Sequence, residues 1–194
     1  MTELSILIAG VGGQGTLLTG RILGQYASLL GLDAKVSEVH GMAQRGGCVV
    51  THFKMAPCVR SPLIEEGQAD ALLAFEPLEA LRWLHMLKPS GTLVAAQERI
   101  PPLSVTMGLS VYPDDVFGLA RQKVPNAHFV PAGELCMRAG DARTANVVLL
   151  GVLTRVLNLD RDNMLSSIEA CVKPSTLPVN RKAFALGLQA TTPM

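Results

Sequence analysis

The sequence predicts an α/β fold, a doubly wound and mostly parallel sheet flanked by helices, with a helical C-terminal region packed on the same core. Three observations carry this expectation. A strand–helix–strand rhythm repeats from residue 5 to residue 96. A glycine-rich turn, Gly10-Val11-Gly12-Gly13-Gln14-Gly15, falls between an apolar strand and a helical pattern. The run Asp70-Ala71-Leu72-Leu73-Ala74-Phe75 is apolar without alternation, as strands are when helices cover both faces of a parallel sheet.

The first strand is Ile6-Leu7-Ile8-Ala9. A helix over residues 16–30 follows, with Leu17, Leu18, Ile22, Leu23, Tyr26, Ala27 and Leu30 on one broad face and Gly31 as its stop. The second strand covers residues 35–39, and residues 48–54 form a third of open length and direction, since a Gly-Gly pair precedes it and Pro57 follows. Residues 61–67 read as a short turn or a single helical turn. After the apolar run at 70–75, a helix begins at Pro77 and extends to about residue 87, residues 88–91 make a tight turn, and residues 92–96 form a strand. Beyond Glu98 the pattern loosens. Residues 109–112 and 127–130 are expected as short strands flanking a helix from about residue 114, and another helical piece starts at 131–134. Three helices, at about 144–157, 160–172 and 178–189, complete the chain, with Asp160 as an N-cap. No repeat or linker interrupts the 194 residues, so a single domain over 1–194 is expected.

A formal net charge of +1 gives no bulk attraction for nucleic acid or an anionic membrane, so neither is an expected partner. Cys48, Cys58, Cys136 and Cys171 are scattered, without a Cys-x-x-Cys or Cys/His pair at ligand spacing, and neither a structural zinc nor an iron–sulfur cluster is expected on this chain. The first strand starts almost at the N-terminus, and no run reaches the roughly 18 apolar residues of a membrane span. A cytoplasmic location is the resulting expectation.

The spacing Gly10-x-Gly12-x-x-Gly15 between strand and helix matches a dinucleotide-binding fingerprint, in which the backbone approaches a phosphate at a positive helix end, and Glu38 falls where a ribose-binding acid would stand. A Rossmann-like nicotinamide or flavin site and a purely structural turn both fit that spelling. The next loop is denser in chemistry. Glu38, His40, Gln44 and Arg45 cluster among Gly41, Gly46 and Gly47, and polar loops at strand ends are where binding sites are usually built. Arg45 can hold a phosphate or carboxylate bidentately, and His40 can exchange a proton near neutral pH or position a partner group. His52, His85 and His128 lie in ordinary strand or helix contexts. Glu76 and Glu79 flank Pro77, where carboxylates complement a helix N-terminus. Asn146 and Asn180 sit early in two C-terminal helices.

The glycine turn, the block Ser37-Glu38-Val39-His40-Gly41-Met42-Ala43-Gln44-Arg45-Gly46-Gly47, the stretches Ser61-Pro62-Leu63-Ile64 and Leu73-Ala74-Phe75-Glu76-Pro77-Leu78-Glu79-Ala80, Asn146, and the closing Val179-Asn180-Arg181-Lys182-Ala183-Phe184 together resemble the gamma-type subunit of 2-oxoacid:ferredoxin oxidoreductases, most nearly the beta subunit of the indolepyruvate enzymes. The resemblance covers nearly the whole chain. It implies a subunit, inactive alone, of an enzyme that oxidatively decarboxylates a 2-oxoacid, here indolepyruvate or another aryl pyruvate, to an acyl-CoA and passes electrons to ferredoxin. It further implies that thiamine diphosphate, magnesium and iron–sulfur clusters belong to a large alpha subunit, that coenzyme A is a co-substrate, and that this chain holds no cofactor by itself. Carried onto this sequence, Gly12, Gly13, Gln14 and Gly15 form a turn in the coenzyme A and substrate region. His40, Met42, Gln44, Arg45, Gly46 and Gly47 form a loop facing the active site, with His40 and Arg45 in supporting catalytic roles. A homodimer of the isolated chain is compatible with this reading. The competing readings are a stand-alone NAD(P)- or flavin-binding oxidoreductase and a non-enzymatic module that docks through its helical tail.

Overall fold

The computed structural model describes residues 3–12, 14–40 and 47–190, and for His40, Leu103 and Ser104 the description stops at the backbone. The elements follow in the order β1 (Leu4–Val11), α1 (Thr16–Leu29), β2 (Asp33–His40), β3 (Cys48–Ala56), β4 (Ala69–Ala74), α2 (Pro77–Trp83), β5 (Leu87–Ala96), α3 (Leu103–Thr106), α4 (Val116–Lys123), β6 (Ala127–Val130), α5 (Ala132–Ala139), α6 (Ala145–Val156), α7 (Arg161–Cys171) and α8 (Leu177–Gln189). One sheet of six strands runs in the order β2-β3-β1-β4-β5-β6. The pairs β1/β4, β4/β5 and β5/β6 are parallel, whereas β3 is antiparallel to both β1 and β2.

Alternation along the central strands divides the core in two, because successive side chains of a strand point to opposite faces. Ile6, Ile8, Ala71, Leu73 and Val94 are buried with residues of α1, α5, α6, α7 and α8. Leu7, Ala9, Leu72, Ala74, Leu93 and Ala95 are buried with residues of α2 and α4. Helix α6 is buried continuously from Asn146 to Thr154, which suits a helix at the centre of a layer rather than on its surface. It crosses α8 at Gly151 and Gly187. A Cβ on Gly187 would collide with the Val148 carbonyl oxygen, so this crossing depends on small residues.

Several expectations change. Strand β3 is inserted between β1 and β2, so β2 is an edge strand and does not lie beside β1 as a dinucleotide fold would place it. Residues 38–40 are consequently the end of β2, and Gly47 leads into β3, its antiparallel partner. Residues 88–91 do not end an element: β5 begins at Leu87, and its irregularity appears as a register shift against β4 between Ala69 and Ala71. Residues 109–112 are not a strand. They carry no sheet partner because the neighbour of β5 on that side is β6. Leu17 is 56% exposed and Leu30 36%, so the buried face of α1 is narrower than its hydrophobic pattern implies. The helix begun at Pro77 becomes 3₁₀ over Leu84–Met86.

Candidate functional site

The C-terminal ends of β1, β2 and β4 and the start of β3 meet at one edge of the sheet, and the glycine turn stands in the middle of it. Gly15 has φ +89°, a left-handed conformation that glycine adopts without a side-chain penalty, and it caps α1. No side chain caps that helix and no acidic residue occupies its first turn. The first amides of α1 therefore have no intrahelical acceptor and lie at the positive end of a 14-residue helix. Gly12 donates its backbone N–H to the Gly47 carbonyl at 3.1 Å, which ties the turn to the far end of the 38–47 stretch.

Gln14 folds back over β1. Its Oε1 accepts the Val11 N–H at 2.6 Å, and its Nε2 donates to the Phe75 carbonyl at 3.1 Å. The amide thus joins the ends of β1 and β4, and a Cβ on Gly10 would come within 2.9 Å of Gln14 Oε1. Gly10 and Gln14 are matched, a reason for the first glycine that involves no nucleotide. Glu38 Oε1 accepts from Thr16 Oγ1 at 3.2 Å and Thr51 Oγ1 at 3.4 Å. The acid that could have met a ribose is engaged with α1 and β3.

Asn146, at the start of α6, is 3% exposed, and its Nδ2 has no hydrogen-bond partner among the described residues. It packs against Gly15: a Cβ there would be 3.5 Å from Asn146 Cγ and Nδ2. Asn146 also lines a cavity of about 310 Å3 with Leu18, Arg143, Lys173, Thr176 and Asn180 among its other walls. Arg143 forks onto Asp141 through Nε and Nη2, and this guanidinium holds the Asp141 carboxyl down to about 2. Asn180 Nδ2 donates to the Thr176 carbonyl at 2.8 Å, joining two of the residues that line the cavity. An unpaired buried donor is costly unless something accepts from it, a condition that Trp83 Nε1 and Arg155 Nε share with Asn146 among the described residues.

On β3, burial and the neighbouring Glu79 carboxylate push the Cys48 thiol up to about 11, so it is a protonated packing group rather than a nucleophile. Glu79 Oε1 accepts from Arg82 at 2.6 Å, while its Oε2 is buried without a hydrogen-bond partner among the described residues. Glu76 caps α2 by accepting the Glu79 N–H at 2.9 Å, as its position before Pro77 suggests.

Of the residues singled out from sequence, Gly12, Gln14, Gly15 and Gly47 are brought together at this edge. Gly13, Met42, Gln44, Arg45 and Gly46 lie outside the described residues, as does the His40 side chain; the His40 backbone ends β2 opposite Val49. Asn146 was legible as a polar residue at a helix start and as one of the residues that carry the family resemblance. A further signal is that the α6 residues after it, Val147-Val148-Leu149-Leu150, are all apolar. Among the described residues no group of three or more His, Cys, Asp or Glu could hold a metal, and no helix is long and apolar enough to cross a membrane.

Comparison with known proteins accounts for this architecture. The family model for pyruvate ferredoxin/flavodoxin oxidoreductase matches residues 5–190. Indolepyruvate oxidoreductase subunit IorB of Thermococcus kodakarensis is 38% identical over 199 residues, covering 100% of this chain and 98% of that protein. The keto/oxoacid ferredoxin oxidoreductase gamma subunit of Geobacter sulfurreducens has the same fold, with a TM-score of 0.70 at 22% identity and 96% of each chain covered. The 2-oxoglutarate:ferredoxin oxidoreductase of Magnetococcus marinus, solved with 2-oxoglutarate, coenzyme A and succinyl-CoA, matches with a TM-score of 0.70 at 19% identity over 100% of this chain but only 32% of its own. The chain therefore belongs to the pyruvate ferredoxin/flavodoxin oxidoreductase family, as a subunit of a 2-oxoacid:ferredoxin oxidoreductase.

Proposed function

We propose that this chain is the non-cluster subunit of an aryl-pyruvate, and specifically indolepyruvate, ferredoxin oxidoreductase, working against a large subunit that bears thiamine diphosphate, magnesium and the iron–sulfur clusters. The full-length similarity to IorB supports the substrate class. The single structural observation that supports a binding role is the unpartnered Asn146 Nδ2 beside the uncapped N-terminus of α1. Thiamine diphosphate supplies the carbanion chemistry and the clusters accept the electrons, both in the partner.

This chain's residues then bind, orient and exclude water. The amides at the start of α1 attract an anionic group of coenzyme A, and Asn146 donates to one of its oxygens or ring nitrogens. Gly12 and Gly15 keep side chains out of that approach, with Gly13 between them. Gln14 holds the turn at its distance from β4. From the β2–β3 connection, Arg45 neutralises the carboxylate of the 2-oxoacid or a coenzyme A phosphate, His40 and Gln44 supply directional hydrogen bonds, and Met42 with Gly46 and Gly47 shapes an apolar wall.

A free-standing dinucleotide enzyme fits less well. The β2 acid is hydrogen-bonded to two threonines, and β3 separates β2 from the turn. The test is reconstitution: the purified chain mixed with its thiamine-bearing subunit should restore coenzyme A-dependent reduction of ferredoxin or a viologen dye by indolepyruvate, while either subunit alone does not. No activity from the cognate pair would refute the proposal.

A further inference from the structure

Glu76 does more than cap α2. A helix cap calls for a short side chain, Ser, Thr, Asp or Asn, because one oxygen close to the backbone suffices. Glu76 is longer, is 1% exposed, and uses both of its oxygens. Oε2 accepts the Glu79 N–H at 2.9 Å, which is the cap. Oε1 accepts from Tyr112 Oη at 2.6 Å and from the Ile100 N–H at 3.4 Å, donors 36 and 24 positions further along the chain. The start of α2, the connection after β5 and the connection before α4 thus converge on one buried carboxyl group. Tyr112 is held from its other side: the Arg99 guanidinium lies 5.1 Å from the centroid of its ring, and Arg99 Nη2 donates to the Asp114 carbonyl at 3.0 Å. Burial, with the Glu76 carboxyl beside it, raises the Tyr112 pKa from its ordinary value of 10, so the phenol keeps its proton and stays a donor.

The residue before Glu76 carries the glycine turn. Phe75 donates its N–H to the Ala9 carbonyl at 2.8 Å, and its own carbonyl accepts from Gln14 Nε2 at 3.1 Å. Packing is close here too, since a Cβ on Gly10 would lie 3.1 Å from Phe75 Cβ. The Gln14 amide passes the constraint on by accepting the Val11 N–H at 2.6 Å. The planar peptide that joins Phe75 to Glu76 is therefore fixed by the turn at its carbonyl and by the buried carboxyl group on its far side. We infer that Glu76, with Tyr112 as its donor, is a positioning residue for coenzyme A, because it sets the end of β4 from which Gln14 and the first amides of α1 take their place; the inference rests on the proposed function. Hydrogen bonds weaken steeply when donor and acceptor are misaligned, so loosening the turn weakens the hold on an anion of coenzyme A. The 2-oxoacid is assigned to the β2–β3 connection, and its binding should change less.

The experiment is steady-state kinetics of the assembled enzyme, this chain with its thiamine-bearing subunit, carrying Tyr112→Phe or Glu76→Gln. Tyr112→Phe removes one donor and leaves the helix cap in place. Glu76→Gln keeps the shape and replaces one acceptor oxygen with a donor. Each should raise the KM for coenzyme A roughly threefold to tenfold, while kcat and the KM for indolepyruvate stay within about twofold of the parent. If Glu76→Gln does not fold, Tyr112→Phe decides alone. An unchanged KM for coenzyme A in Tyr112→Phe would overturn the inference. So would equal rises in both KM values, or a fall in kcat or in the yield of complex with both KM values unchanged, the mark of a purely structural role. In each of those cases the parent enzyme still turns over and the proposed function stands. A parent pair without coenzyme A-dependent turnover would overturn both.

Discussion

Gln14 and Asn146 bring the same carboxamide to the glycine turn, one from within it and one from α6, and the fold uses them differently. Both sides of the Gln14 amide are engaged with backbone at the ends of β1 and β4. Asn146 is 3% exposed, and its Nδ2 donates to nothing among the described residues. The difference separates groups that hold the turn from groups that the turn presents. A paired amide contributes to folding; an unpaired one lowers stability until a ligand accepts from it.

The sharpest way to break this contrast is to remove each amide in turn. Gln14→Ala leaves the Val11 N–H and the Phe75 carbonyl without their side-chain partner and should destabilise the isolated chain by about 1–3 kcal/mol in urea unfolding. An unchanged midpoint would make Gln14 a surface residue in effect. Arg45→Ala tests the neighbouring loop: folding should be intact, while turnover of the assembled enzyme falls at least tenfold, about 1.4 kcal/mol in transition-state terms. Unchanged turnover removes Arg45 from the site. Asn146→Ala should behave as the mirror of Gln14→Ala, with stability altered by about 1 kcal/mol or less and the KM for coenzyme A raised roughly fivefold to tenfold. A large loss of stability with an unaltered KM would move Asn146 to the structural class.

A smaller effect extends the structural class to His52. Its Nδ1 accepts the Ile64 N–H at 3.1 Å, and burial, with Lys54 nearby, lowers its pKa from the ordinary value of 6.5. The folded chain resists a proton that the unfolded chain accepts, so stability is complete above pH 6.5 and declines as the pH falls below it. Unfolding measured at pH 7.5 and 5.5 should show that decline. His52→Gln, which keeps an acceptor and cannot titrate, should flatten it, leaving the part due to His128, whose pKa burial also lowers.

The parallel half of the sheet was legible because its strands are short apolar runs separated by helical patterns, and local periodicity reports such elements directly. Helices α6, α7 and α8 were placed within a residue or two for the same reason. Strand β3 was found but not its direction, since Cys48–Ala56 carries no signal of which strand it pairs with. Glu76 was read as a carboxylate favoured at a helix start, and it caps α2. That its other oxygen reaches Tyr112 across 36 positions of sequence has no local trace.

The sequence by itself determined the α/β class, the glycine turn and the polar block after it, because strand and helix periodicity and glycine placement are short-range properties. Only the tertiary structure decided the insertion of β3 between β1 and β2, the capture of Glu38 by Thr16 and Thr51, and the isolation of Asn146 Nδ2 against Gly15. Strand order and the pairing of buried polar groups depend on which distant segments share the interior. A side chain's identity states what bonds it can make, and the packed interior decides which of them it does make.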